Sequence, residues 1–148
     1  KTPVLGQLFL KAGVARFTRT LGVLIRAGVN ILSSLDIVAR TAGNVLIEDA
    51  LHKTKTSIQS GESISTPLED SGVFPPMVTR MIAVGERTGN LESMLQKIAD
   101  FYEDQVDAAV TSLMSLIEPI LIIGLGLVIG SIVISMFLPM FKMLESLG

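Results

Sequence analysis

The sequence predicts an all-α protein: a six-helix antiparallel bundle whose last helix continues into a C-terminal transmembrane helix. Three observations carry this. Apolar residues recur at three- and four-residue spacing, and no segment sustains the two-residue alternation of a half-buried strand. Glycine-marked breaks separate the stripes at short intervals, as antiparallel neighbours in a bundle need. Finally, the 23 residues from Pro119 to Phe141 hold no charge, and fourteen of them are Leu, Ile, Val or Phe.

The first helix is read from Val14, Phe17, Leu21, Leu24 and Ile25, one apolar stripe. Gly28 ends it, because glycine accepts a left-handed conformation at little cost. Asn30 is placed to cap the second helix, whose face is Leu32, Leu35, Val38, Ala39 and Ala42. Gly43-Asn44 breaks the chain again. Ile47, Leu51 and Ile58 form the third stripe, and Gly61 stops it. Thr66-Pro67-Leu68-Glu69 has the form of a capping box with proline at the first helical position, opening a short fourth helix that Gly72 ends. Pro75-Pro76 opens a fifth through Met77, Val78, Met81 and Ile82, stopping between Gly85 and Gly89. Asn90 then caps the sixth, with Leu91, Leu95, Ile98 and Tyr102 on its face. No Gly or Pro occurs from Leu91 to Glu118, so this helix is expected to run straight to the membrane and to bend at Pro119, where a backbone hydrogen bond is lost.

The apolar run decides the domain organisation. A helix of its length rises about 34 Å, against roughly 30 Å of bilayer hydrocarbon. Its fourteen large apolar residues favour insertion by roughly 4–8 kcal/mol before Gly, Ser and Pro are discounted. A domain of the remaining size cannot cover a helix that is apolar all round. The expected division is therefore residues 1–118 as a helical domain, 119–141 as the transmembrane helix and 142–148 as a short tail. The run lies at the C-terminus, unlike a signal peptide. A chain opening at Lys1 is read as part of a longer protein.

The net charge of −2 argues against a nucleic-acid binder. Its distribution is uneven. Residues 1–35 contain Lys1, Lys11, Arg16, Arg19 and Arg26 and no acid, whereas residues 36–118 contain six basic and thirteen acidic residues. Two readings stand: an opening helix facing anionic lipid or an acidic partner, or ordinary solvated helix faces. Asp100, Glu103, Asp104 and Asp107 share one face of the sixth helix. One helix cannot wrap four carboxylates around a cation. A solvated face, a docking surface for basic groups, or contact with Arg16, Arg19 and Arg26 of the same domain are the alternatives. His52 is the only histidine and there is no cysteine, so neither a zinc site nor a Cys-His nucleophile can be assembled. No catalytic, cofactor-binding or metal residue is assigned. Zero cysteines fit a reducing compartment.

Within the span, Gly126 and Gly130 form a Gly-x-x-x-Gly pair, with Gly124 just before and Ser131 and Ser135 nearby. Small residues let helix backbones approach in lipid, so these residues are candidates for an oligomer contact or an intramolecular helix contact; glycine enrichment common to membrane spans is the plainer account. Glu118 is the only charge between Ala108 and Phe141, either an interfacial residue beside a proline or a carboxylate paired with a cation of the bundle. Gly85-Glu86-Arg87-Thr88-Gly89 lacks the ending of a nucleotide loop. It reads instead as a helix end, a turn and a new cap, with Glu86 bonding the backbone of a neighbouring turn.

Three passages together resemble a known family. They are "FTRTLGVLIRAGVNILSSLDIVARTAGN" (17–44), "GERTGNLESMLQKIADFYEDQV" (85–106) and the frame set by Glu118-Pro119 and Leu138-Pro139. The family is the type II secretion protein F family, the platform proteins of type II secretion and type IV pilus machines. Gly85, Glu86, Gly89 and Leu91 are its most specific part, reinforced by Glu118, Pro119 and Pro139. The resemblance implies a non-enzymatic, multi-pass protein of the bacterial inner membrane, of which this chain is the second cytoplasmic domain with the last span. It implies partners: a cytoplasmic hexameric assembly ATPase, pilin or pseudopilin subunits, which Gly124, Gly126, Gly130 and Ser131 of the span would then contact, other inner-membrane assembly proteins and further copies of itself. The C-terminus is then expected to be periplasmic. Local charge leans the other way, since Lys142 follows the span and no Lys or Arg lies within twenty residues before it. A preceding span ending before Lys1 would let the cluster from Lys1 to Arg26 set the orientation. The competing class is a membrane-anchored signalling or transport subunit with a helical regulatory domain. It fits less well, because the span holds no polar group beyond Ser131 and Ser135.

Overall fold

In the computed structural model, residues 3–148 are described; Lys1, a member of the basic cluster, lies outside them. Six helices follow in order: α1 (Pro3–Arg26), α2 (Ile31–Thr41), α3 (Val45–Gln59), α4 (Ser65–Asp70), α5 (Pro76–Thr88) and α6 (Leu91–Glu145). No strand occurs among the described residues. The chain divides into two units, Lys1–Asp107 and Ala108–Gly148.

The first unit is built around a single apolar core. Val14, Phe17 and Leu21 of α1, Leu35 and Val38 of α2, and Ile47 and Leu51 of α3 are buried in it. Leu68 of α4, Val78 and Ile82 of α5, and Leu95, Ile98 and Tyr102 of α6 complete it. Phe74, in the α4–α5 connection, sets its ring 5.3 Å from that of Phe17. Apart from Leu32, half-buried outside the core, each stripe read from the sequence is the buried face of its helix; the outer members Leu24, Ile25, Ile58, Met77 and Met81 pack at the rim.

Buried hydroxyls interleave with these residues. Thr18 donates to the Val14 carbonyl and Thr54 to the Ala50 carbonyl, each at 2.8 Å, one turn back in its own helix. This lets a threonine fill a core position without leaving a polar atom unpaired.

Helix ends follow local chemistry. Asn30 Oδ1 accepts from the Leu32 amide at 2.9 Å, and Asn44 Oδ1 accepts from the Leu46 amide at 2.9 Å. The five breaks before α2, α3, α4, α5 and α6 each contain a glycine with φ between 65° and 87°. The capping box expected at Thr66–Glu69 does not form. α4 begins at Ser65, so Thr66 lies inside it, and Ile64 at its N-cap makes no side-chain cap. Other groups satisfy these amides instead. Ser63 Oγ accepts from the Thr66 amide at 3.2 Å, and a carboxylate from α5 takes the two preceding amides.

The second unit is the remainder of α6 with the last three residues. Helical geometry is unbroken through Pro119 and Pro139, and none of the most apolar stretch is buried. It is the one helix among the described residues long and apolar enough to cross a membrane.

Phe17 is fully buried against Phe74, so Phe17→Ala is expected to lower unfolding stability by about 3–5 kcal/mol. Val4, two-thirds exposed, serves as the control. Urea titration of the detergent-solubilised protein, followed by circular dichroism, checks both.

Candidate functional site

The Gly-Glu-x-x-Gly-x-Leu segment forms the corner where α5 turns into α6. Gly85 is buried inside α5. A β-carbon there would stand 2.9 Å from the Leu91 Cα and 3.1 Å from the Met94 Cγ. Only a hydrogen side chain admits the start of α6 at this distance. Gly89 closes α5 in the left-handed region at φ 70°, its amide donating to the Gly85 carbonyl. The Asn90 amide donates to the same carbonyl at 2.9 Å. Such a reversal satisfies the last carbonyls of a helix and favours glycine. Leu91 follows at once and packs at the core rim.

Glu86 leaves this corner in another direction. Its two carboxylate oxygens accept from the Ile64 amide at 2.5 Å and the Ser65 amide at 3.2 Å. A residue of α5 thus caps the N-terminus of α4 from more than twenty positions away. A negative charge is favoured there, where amides lack intrahelical partners. The four motif residues therefore tie α4, α5 and α6 at one point.

The basic and acidic faces meet across α1 and α6. The Arg19 guanidinium grips Glu103 with two bonds, Nε to Oε1 at 3.0 Å and Nη2 to Oε2 at 2.9 Å, and Nη2 also reaches Asp100. About two turns along, Arg26 Nε lies 3.6 Å from Glu92. Gly22, between them, faces Leu95, where a β-carbon would make ordinary contact at 3.4 Å. The sequence numbers run oppositely, so the two helices are antiparallel. The hydrogen bond from Arg19 holds the Glu103 carboxyl below its usual range, opposed by partial burial and the neighbouring Asp100. Glu103 and Asp100 together raise the Arg19 guanidinium further above its ordinary value. In the same way the Lys55 ammonium, 2.5 Å from Asp36, holds that carboxyl low and joins α2 to α3. Of the remaining predicted charges, Arg16 lies beside Gly43, and Asp104 is exposed on α6.

A cleft of about 450 Å³ flanks the Arg19–Glu103 pair, walled by Ala12, Ala15 and Val106 and edged by Arg16 and Asp107. A second, more apolar one lies between Leu10, Lys11, Phe101 and Tyr102. Burial there raises the Tyr102 hydroxyl pKa. Among the described residues no group of three or more His, Cys, Asp or Glu could hold a metal ion. His52 sits 3.7 Å from Glu48 on its own helix.

In the second unit, Gly124, Gly126 and Gly130 have nothing within 4 Å of where a β-carbon would stand. Ser131 donates to the Val128 carbonyl at 2.8 Å and Ser135 to the Ser131 carbonyl at 2.7 Å. Both hydroxyl protons are thus committed to the helix itself, and these serines offer a neighbour small size rather than a donor. Glu118 is exposed, and Pro119 and Pro139 are interior to α6. Sequence reasoning missed the partner of Glu86, the Asp36–Lys55 pair and the close approach at Gly22. The glycine in an otherwise regular apolar stripe was the one available signal for the last of these.

Gly85→Ala is expected to destabilise by about 1–3 kcal/mol, because backbone must move, whereas Gly6→Ala, in open space, is neutral or stabilising by up to about 1 kcal/mol. Thermal denaturation of the two proteins side by side checks this. For Arg19→Ala the expected loss at neutral pH is under about 1 kcal/mol, since the pair is solvent-accessible and screened. The folded pKa of Glu103 is depressed, so its contribution is full above the ordinary carboxylate range and lost as pH falls through the folded value. Wild-type and variant stability curves should therefore converge in acid; a constant gap would show that the arginine acts through packing alone.

Residues 17–139 match the family model described as "Type II secretion system (T2SS), protein F". The chain is 52% identical over 141 residues to the type IV pilus assembly protein PilC of Myxococcus xanthus, covering 95% of this chain and 34% of the relative. It is 50% identical over 149 residues to PilC of Thermus thermophilus, covering 100% of this chain and 37% of the relative. The type II secretion system protein F of Pseudomonas aeruginosa is 34% identical over 148 residues, covering 100% and 36%. The chain thus spans about a third of the length of these curated relatives. It matches them along its whole bundle and through its apolar helix, so the chain belongs to the type II secretion system protein F family.

Proposed function

We propose that this chain is the motion-transmitting part of an inner-membrane platform protein in a type IV pilus or type II secretion machine. It couples a cytoplasmic hexameric assembly ATPase to the insertion or extraction of pilin or pseudopilin subunits. One observation supports this most directly. α6 supplies core residues of the helical unit, Leu95, Ile98 and Tyr102, and is also the element able to cross a bilayer. Work done on the helical unit then has a covalent, hydrogen-bonded route to the lipid-facing segment. Such a protein needs no catalytic group. In this reading residues 1–118 are cytoplasmic, 119–141 span the membrane and 142–148 are periplasmic, within a multi-pass protein. The charges of Arg16 and Asp104 remain open to a protein partner.

Helix continuity is the testable part. Ala108→Gly combined with Ala109→Gly adds a flexible joint at a cost of about 2 kcal/mol in helix propensity. Pilus assembly or secretion, in a strain lacking its own copy, is expected to fall to background while membrane retention is unchanged; undiminished assembly would sink the coupling reading. Topology has its own check. Lys53 is exposed on α3, so Lys53→Cys should resist a membrane-impermeant maleimide in intact cells and react after permeabilisation. Labelling in intact cells would place the helical unit on the opposite side.

A further inference from the structure

We propose that the cleft between α1 and α6 bounded by Leu10, Lys11, Phe101 and Tyr102 binds a small carboxylate carried on an apolar ring or short chain. The site lies wholly inside the helical unit, and the proposal goes beyond the platform reading without depending on it.

The cleft holds about 350 Å³, with Val14 in its apolar wall and Gln105 at its edge. Cavities that take small molecules begin at roughly 300 Å³. A space of this size accepts a ring or a short chain and excludes a helix, whose diameter is about 10 Å. The Phe101 ring stands edge-on to the Tyr102 ring, with centroids 5.3 Å apart, an arrangement aromatic pairs favour. Val14 is fully buried, so the wall is continuous with the core.

Tyr102 marks this cleft as a site. It is 5% exposed, and among the described residues its hydroxyl has no hydrogen-bond partner. A buried tyrosine ordinarily satisfies its hydroxyl. Thr18, Thr54 and Thr79, buried like it, each donate to a carbonyl of their own helix. A phenol cannot turn back in this way, because its oxygen stands at the far end of a rigid ring. The proton of Tyr102 is therefore left for whatever enters the cleft.

Two further donors line the same space. Lys11 is half-buried and forms no ion pair among the described residues, although Arg19 and Arg26 of the same helix both do. Gln105, also half-buried, has no hydrogen-bond partner there either. No carboxylate lines the cleft. Burial raises the Tyr102 pKa, so the phenol keeps its proton at neutral pH and stays a donor. An ammonium and a phenol beside an apolar wall call for an acceptor with one negative charge, and the two oxygens of a carboxylate can take both. A phosphate monoester would bring nearly two charges against a single ammonium.

Tyr102 is the only tyrosine and the chain has no tryptophan, so intrinsic fluorescence reports this cleft alone. Cyclohexanecarboxylate and the neutral cyclohexanecarboxamide have nearly the same shape and differ in charge. Each is titrated into the full chain in dodecyl maltoside micelles. The carboxylate is expected to change the Tyr102 emission saturably, binding about tenfold tighter than the amide, the worth of one charge-assisted hydrogen bond. In Lys11→Met that preference should vanish, whereas Lys53→Met, a remote exposed lysine on α3, should match the wild type. Tyr102→Phe removes the fluorophore, so ligand-observed saturation-transfer NMR follows it. There carboxylate affinity should fall severalfold with helix content unchanged by circular dichroism. Should Tyr102→Phe lose its helix content, the Lys11→Met comparison decides alone. No saturable response in the wild type, equal affinity for the two compounds, or a preference that survives Lys11→Met would each overturn the site. Tighter binding of cyclohexyl phosphate than of the carboxylate would overturn the ligand class.

Discussion

α6 has to satisfy two solvents with one backbone. Hydrocarbon offers no partner to an amide or a carbonyl, so a lone crossing segment must close all its hydrogen bonds internally, and only a helix does so. That requirement explains why helical geometry persists through Pro119 and Pro139. It also explains why Ser131 and Ser135 turn their hydroxyls back onto their own helix. At its other end the same helix lies against a protein core and needs apolar residues on one side only. Leu95, Ile98, Ala99 and Tyr102 supply that side, while Glu92, Asp100 and Glu103 face outward or toward α1. The change from a one-sided to an all-round apolar surface is the change of solvent written into a single element.

The start of α6 is fixed with corresponding care. Gly85 removes a side chain where Leu91 must pass, Gly89 supplies the left-handed turn, and Glu86 holds two amides of α4. A β-carbon at Gly85 would displace backbone, which relaxes poorly in a close-packed interior. An uncapped α4 would leave amides without partners near the core. Both penalties exceed what the surface ion pairs contribute, since exposed pairs are worth under about 1 kcal/mol. The direction in which α6 leaves the corner is therefore set by sterics and amide satisfaction, and the Arg19 fork adds register between α1 and α6.

Much of this was legible in advance because glycine and apolar period are local signals. Gly28, Gly43, Gly61, Gly72 and Gly89, the breaks in the pattern, are the residues with positive φ, and the stripe residues form the core. What escaped was non-local or amphiphilic. Thr18 and Thr54 are fully buried, yet hydroxyl-bearing residues read as polar until the carbonyl one turn back is seen to accept their protons. The cap on α4 was sought within four residues, at Thr66–Glu69, but the group that serves it comes from α5, and no window along the chain contains both. Gly22 faces Leu95 on α6, a neighbour more than seventy positions away. Of the site residues, Glu86 was assigned a backbone partner in a neighbouring turn, but the partner's identity depends on tertiary placement.

The uneven charge of the sequence takes on a different meaning once the helices are placed. A basic opening helix suggests attraction to lipid phosphate or to an acidic protein. Arg19 and Arg26 instead answer Asp100, Glu103 and Glu92 within the same unit, and Lys55 answers Asp36. Charges already paired offer little to an outside partner, because a new contact must first replace the old one. The apolar surface of α6 beyond Asp107 is in the opposite condition. Among the described residues its large apolar side chains are exposed, and any of that surface left in water is unfavourable by roughly 25 cal/mol for each Å². The surface of this chain that most needs covering is therefore apolar and lies along α6, the helix able to cross a membrane, while the paired charges of the helical unit serve mainly to hold that unit in register.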